Sequence, residues 1–186
     1  MKALSISILF VSFFSAAASA QSLSNSDIFL RIKKLNAGKE ITLTYDRAGG
    51  TSKIMAVSDN FSDGESGRAG LKAMNFAAGF FYAGETLPAA PNSIKLSFWA
   101  MAKKACFAED HRLAIIAGGD VLELGDGRYS AKPDRQMEYL NYDLTRDAIR
   151  KIAGSSNVRM RLGKKEFSFT PAQLRILSDL LSIIEP

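Results

Sequence analysis

Basic side chains in the C-terminal part of the chain form the pattern with the clearest chemical meaning. Arg159 and Arg161 share one parity of the alternating segment 158–162, so both guanidinium groups are expected on the polar face of a strand. Lys164 and Lys165 follow at its turn. Such groups gathered on one surface bind carboxylates or phosphates, although an ordinary solvated face is the alternative. The predicted binding surface, the basic face, comprises Arg146, Arg150, Lys151, Arg159, Arg161, Lys164 and Lys165.

Residues suited to nucleophilic or metal chemistry are scarce. His111 is the only histidine and Cys106 the only cysteine, so the usual zinc ligand sets cannot be assembled. No G-x-S-x-G turn presents a serine to His111. In the polar loop 58–70, Gly70 stands where a calcium loop needs a bidentate glutamate. The sequence therefore predicts no catalytic residue, no metal site and no cofactor, with Cys106 as a small buried side chain and His111 as a surface residue.

Carboxylates are plentiful enough to keep an enzymatic alternative open. Glu109 and Asp110 are adjacent, and Asp120, Glu123 and Asp126 follow soon after. A glycosidase needs two inward-facing carboxylates at a set separation, which spacing along the chain does not define. Asp120 and Asp126 also stand in turns, where aspartate is common. The alternative function is thus a carboxylate-dependent hydrolase that acts on cell-envelope polymers.

Aromatic side chains provide a second candidate for ligand binding. Phe80, Phe81, Tyr82 and Trp99 exceed what one face of a sheet needs and could line a groove for an apolar ligand. Aromatic residues also dominate protein cores. Core packing is the favoured interpretation.

The N-terminal residues have the features of a secretory signal peptide. Lys2 precedes an apolar run from Leu4 to Phe14, and small residues at 18–20 provide a cleavage site. We expect residues 1–20 to be removed, which leaves residues 21–186 as a single domain in the periplasm or outside the cell. The apolar run is short for a membrane span, so no transmembrane segment is expected after signal removal.

The net charge of the chain bears on its partners. The whole sequence carries a formal charge of +5, and removal of Lys2 leaves +4 for residues 21–186. Nucleic-acid-binding domains are usually more basic than this, with the charge on one face. Together with export, the modest charge predicts no nucleic-acid role and favours an acidic protein or an anionic envelope component as the partner.

The C-terminal part of the chain also has the clearest secondary-structure signals. Thr145 is expected to cap a short helix that Gly154 ends in the left-handed conformation. Gly163 and Lys164 form a two-residue turn between two strands. The sequence Thr-Pro-Ala-Gln at 170–173 is a capping box with proline at the first helical position, so a last helix is predicted from there.

Weaker signals complete the prediction of the fold. A helix at 28–35 precedes a hairpin at 40–57, and segment 71–84 is interpreted as a strand with a bulge near Gly79. The fold class is α+β, with a largely antiparallel, curved sheet of about eight strands packed with an N-terminal helix and two C-terminal helices. The expected function is an exported, non-enzymatic binding or protein-interaction domain.

Overall fold

The computed structural model describes residues 22–185 except 62–65, 68, 133 and 135, so the predicted signal peptide lies outside the described residues. The helices are α1 (Asn25–Lys34), α2 (Arg146–Ala153) and α3 (Pro171–Ile184). The strands are β1 (Leu23–Ser24), β2 (Ile41–Asp46), β3 (Thr51–Val57), β4 (Ala73–Ala83), β5 (Thr86–Leu87), β6 (Ser93–Met101), β7 (Arg112–Ala117), β8 (Asp120–Asp126), β9 (Arg128–Lys132), β10 (Met137–Thr145), β11 (Val158–Leu162) and β12 (Lys165–Ser168).

The α+β class and the antiparallel pairing are confirmed, but the prediction of one curved sheet of about eight strands is wrong. The described part of the chain holds twelve strands in three sheets. A six-stranded sheet has the order β2-β3-β4-β6-β10-β9, a four-stranded sheet has the order β12-β11-β7-β8, and β1 pairs with β5. The strands divide into two larger sheets because the chain leaves the six-stranded sheet after β6. Strand β6 pairs with β10, whereas the next strand, β7, pairs with β8 and β11 in the four-stranded sheet.

The placement of the helices also differs from the prediction. Helix α1 begins at Asn25, three residues before the expected start, because Ser24 accepts a hydrogen bond from the Asp27 N–H (3.1 Å) in a capping box. Helix α2 connects β10 of the large sheet to β11 of the small one, and it packs on α3. Helix α2 therefore links the two larger sheets, whereas the prediction packed all the helices on one curved sheet.

Local capping signals are largely confirmed. The Thr170 side chain accepts a hydrogen bond from the Gln173 N–H (3.2 Å), and Gln173 Oε1 accepts one from the Thr170 N–H (2.9 Å). Thr145 caps α2 as expected. Gly154 ends α2, but its φ of −82° is right-handed, so the predicted left-handed cap is wrong. The glycine with positive φ in this region is Gly163, at +57° in the β11–β12 turn.

Segment 71–84 is a strand, as interpreted, but it contains no bulge. The register of β4 with β3 and with β6 continues through Gly79. A Cβ atom at Gly79 would lie 2.3 Å from the carbonyl oxygen of Ile54. Close approach of the neighbouring strand explains the glycine at this position.

The hydrophobic core is one cluster that takes side chains from both larger sheets and all three helices. Its centre is aromatic: the Phe61 ring lies 5.4 Å from Phe167 and 5.5 Å from Phe169, and Phe76 lies 5.4 Å from Phe169 and 6.2 Å from Phe98. Ring pairs at these separations add to the stabilisation from burial. None of the helices in the described ranges is both long enough and apolar enough to cross a bilayer.

Candidate functional site

The β11–β12 hairpin presents two arginines to solvent. Val158, Met160 and Leu162 are buried in the core, so the alternation of the strand turns Arg159 and Arg161 outward, as the sequence predicts. Both arginines lie on the outer face of the four-stranded sheet. In the neighbouring strand β7 they stand opposite Ile116 and Ala114, which are uncharged. In β12, Arg161 stands opposite Glu166, the one carboxylate of the hairpin.

The charges of the hairpin are poorly compensated. Arg161 Nη2 lies 3.9 Å from Glu123 Oε1, and both side chains are more than half exposed, so this ion pair is weak. Across the described residues, no ion pair includes Arg159, Lys164 or Lys165. We refer to Arg159, Arg161, Lys164 and Lys165 as the hairpin group.

The three remaining members of the basic face are already paired with carboxylates. Glu185 Oε1 lies 2.6 Å from Arg150 Nη2 and 3.7 Å from Arg146 Nε, so one carboxylate at the end of α3 serves two arginines of α2. Lys151 forms an ion pair with Asp120 at the start of β8. We refer to Arg146, Arg150 and Lys151 as the helix group. The structure thus divides the predicted basic face into a hairpin group, whose one ion pair among the described residues is long and exposed, and a helix group whose ion pairs join α2 to β8 and to the end of α3.

A polar cleft lies at the end of the four-stranded sheet, beside the hairpin turn. Its volume is about 600 Å³, and a second depression of about 400 Å³ shares three of its residues. Volumes of this size are typical of small-ligand sites. The polar cleft is lined by Cys106, Glu109, Asp110, Arg112, Asp126, Lys164 and Lys165.

The lining of the cleft contains an ion pair between Arg112 and Asp110. Arg112 donates from Nε and Nη2 to the two oxygens of the Asp110 carboxylate, at 3.1 Å each. These bonds lower the pKa of Asp110 from its ordinary value, and they raise that of Arg112. Asp110 is therefore held as a carboxylate, and the two charges neutralise each other.

The cleft depends on a close approach between the hairpin turn and the segment before β7. The Gly163 N–H donates to the carbonyl oxygen of Arg112 at 2.8 Å. A Cβ atom on Gly163 would lie 2.4 Å from the carbonyl oxygen of Asp110. Only glycine permits this contact, and the contact places Lys164 and Lys165 at the cleft.

One residue that sequence analysis did not single out organises the wall of the cleft. Glu138 of β10 is 3% exposed, yet it has no ion-pair partner in the described part of the chain. It accepts hydrogen bonds from the Cys106 N–H (2.8 Å), the Phe107 N–H (3.0 Å) and the Tyr129 hydroxyl (3.0 Å). A signal was present, because Glu138 stands on the same parity of its strand as the apolar Leu140.

The environment of His111 does not resemble a catalytic one. Its ring stacks on Tyr129 with 5.6 Å between centroids, and its Nδ1 atom is buried without a hydrogen-bond partner. Its carbonyl oxygen accepts the hydrogen bond of the buried Tyr142 hydroxyl. The neighbouring Asp110 is occupied by Arg112, so no carboxylate orients the imidazole in the manner of a hydrolytic triad.

The aromatic candidates are divided between the two faces of the six-stranded sheet. Phe80 and Tyr82 belong to the core, whereas Phe81 is 61% exposed on the opposite face, with the Lys53 ammonium 5.9 Å from its ring. Trp99 is half-buried on that same outer face. These side chains therefore do not line one groove.

Cys106 is only partly buried, and its side chain faces the polar cleft. Burial raises the pKa of its thiol, and the nearby Lys165 ammonium opposes that shift. Among the residues described, no group of three or more His, Cys, Asp or Glu side chains is arranged to hold a metal ion. In comparisons with known proteins, no family model, curated protein or solved structure matches the chain.

Proposed function

We propose that the chain is an exported, non-enzymatic binding domain of the bacterial periplasm, whose partner is an acidic protein or an anionic envelope component. Export rests on the signal-peptide features of residues 1–20. The binding surface is the hairpin group on the outer face of the four-stranded sheet.

The observation that carries this proposal is the imbalance of charge on the β11–β12 hairpin. Four cationic side chains lie within seven consecutive positions of the hairpin, which contains one carboxylate, Glu166, opposite Arg161. Among the described residues, the single ion pair of these cations is long and exposed. In contrast, every member of the helix group has a carboxylate partner. A surface with uncompensated cations attracts an anionic partner and accelerates its association.

The enzymatic alternative, a carboxylate-dependent hydrolase, has less support. A general acid needs a carboxyl group with a raised pKa, whereas Arg112 lowers the pKa of Asp110, the most enclosed carboxylate of the cleft. Asp110 would suit the role of a base or a nucleophile only. The interaction proposal requires no such acid.

Affinity capture with matched charge variants tests the proposal. The bait is residues 21–186, either native or carrying Arg159→Glu with Arg161→Glu. The control bait carries Lys39→Glu with Arg47→Glu, which changes the net charge equally at exposed sites outside the hairpin group. Each bait is incubated with a native envelope extract at low salt and at 0.5 M salt, a concentration of about three times the physiological ionic strength.

We expect one partner that the native and control baits retain at low salt and that the hairpin variant loses. Affinity should fall at least about tenfold on charge reversal, mainly through slower association. Equal recovery with the native and hairpin-variant baits would exclude the hairpin group as the binding surface. If none of the baits recovers a partner, the interaction proposal is refuted, and the carboxylates of the polar cleft become the next candidates.

A further inference from the structure

The polar cleft contains unpaired charges of both signs. Arg112 and Asp110 neutralise each other, which leaves Lys164 and Lys165 as cations, and Glu109 and Asp126 as anions. No ion pair between described residues includes any of these four side chains. The cleft thus carries two charges of each sign outside any ion pair of the described residues, although Lys164 acts on Asp110 and Asp126 acts on Arg112 at longer range.

The topology of the sheet separates the two lysines from Asp126. Lys164 and Lys165 lie at the β11–β12 turn, whereas Asp126 ends β8, on the far side of β7. The antiparallel register brings the end of β11, the start of β7 and the end of β8 to the same end of the sheet. Two strand spacings therefore separate the cationic wall from Asp126, a distance of about 10 Å.

We propose that the polar cleft binds a short peptide with free termini, its carboxylate against Lys164 and Lys165 and its ammonium group against Asp126. An extended chain advances about 3.4 Å per residue, so a span of about 10 Å corresponds to two or three residues. This inference shares Lys164 and Lys165 with the hairpin group, but it does not rest on the proposed protein interaction, because Asp126 and Cys106 lie outside that group.

Cys106 supplies a site-specific reporter. It is the only cysteine of the chain, it lines the cleft, and its thiol lies 3.4 Å from the carbonyl oxygen of Lys104. A peptide in the cleft covers the thiol and slows its alkylation by iodoacetamide. Because the chain has no other thiol, mass spectrometry reads occupancy of this site directly.

The first experiment compares analogues on the unaltered protein, by calorimetry and by protection of Cys106. The probes are alanine, di-alanine and tri-alanine, together with N-acetyl-tri-alanine and tri-alanine amide, which each lack one terminal charge. We expect tri-alanine or di-alanine to bind most tightly and to slow alkylation, and the two blocked peptides to bind at least about tenfold more weakly. Equal binding of the acetylated peptide would overturn the proposal, since it would make the cleft a simple anion site. Failure of every probe to bind would also overturn it.

The second experiment tests each wall separately. Asp126→Asn removes the anionic wall, and Lys164→Met with Lys165→Met removes the cationic one. Arg159→Gln is the control, because this residue belongs to the hairpin group but does not line the cleft. We expect tri-alanine affinity to fall about tenfold in both wall variants and to be unchanged in the control. Thermal melting verifies that each variant is folded, and unchanged affinity in a folded wall variant would refute the assignment.

Discussion

Replacing Glu138 by leucine is expected to loosen the segment that leads from β6 to β7 and to destabilise the whole domain. The carboxylate of Glu138 satisfies the main-chain N–H groups of Cys106 and Phe107, and it also accepts from the Tyr129 hydroxyl. Leucine has a similar volume, so little of the loss should come from packing. The experiment therefore isolates the three hydrogen bonds.

The expected loss of stability depends on whether each of the three hydrogen-bond donors finds another acceptor. The two main-chain N–H groups are left without an acceptor, and each unsatisfied buried donor costs about 1–3 kcal/mol. The half-buried Tyr129 hydroxyl can turn to water, and removing it alone by Tyr129→Phe should cost about 1–2 kcal/mol. Relief from burying a carboxylate offsets part of the cost in the leucine variant. We expect a net loss of about 2–5 kcal/mol for Glu138→Leu, a large share of the stability of a typical domain.

Equilibrium unfolding in urea measures both losses, provided that the slopes of the transitions agree. Glu138→Gln, which keeps one acceptor oxygen, should fall between the leucine variant and the native protein. Alkylation of Cys106 under native conditions gives a second measurement, because a loosened segment exposes its thiol. A loss below about 1 kcal/mol for Glu138→Leu, or a loss no larger than that of Tyr129→Phe, would refute this account.

Two further predictions concern the turn and the tyrosine. Gly163→Ala should lower the free energy of unfolding in urea by about 2–4 kcal/mol, because the new methyl group meets the Asp110 carbonyl oxygen. The control is Gly50→Ala, at φ +60° with nothing within 4 Å, which should lower it by only about 1–2 kcal/mol. Equal losses in the two variants would contradict the clash at Gly163. Burial and the Glu138 carboxylate raise the pKa of Tyr129 from 10.0 to about 12. The folded state therefore holds this proton more tightly, and the resulting stabilisation is complete below pH 10 and is lost as the pH rises to about 12. Tyr129→Phe should flatten the alkaline fall in stability, and an unchanged slope would show that Tyr129 does not contribute.

Sequence reasoning succeeded where a few neighbouring residues decide the structure. The capping box of Thr170 and Gln173 satisfies N–H groups within one helical turn, so it acts regardless of the rest of the fold. The outward direction of Arg159 and Arg161 follows from strand alternation alone. Both features were predictable because their causes lie within about five residues.

Sequence reasoning failed where the partner of an element lies far along the chain. The pairing of Met101 with Met137 closes a long loop, and nothing near either residue specifies it. The ion pairs of the helix group could not be predicted for the same reason, because Asp120 and Glu185 approach Lys151 and Arg150 only in the folded chain. Glu138 differs from these, because its position among apolar residues of one parity identifies it as a buried charge.

The contacts of Glu185 determine how late in synthesis the fold can be completed. Arg31 of α1 donates to the carbonyl oxygens of Ile183 (3.1 Å) and Glu185 (2.6 Å), while Arg146 and Arg150 reach the Glu185 carboxylate. These bonds join the first helix to the end of the last one across more than 150 residues. They cannot form until the chain has been synthesised as far as Glu185. Nascent chains halted before α3 should therefore stay open and sensitive to protease, and release of the last residues should make them resistant in one step.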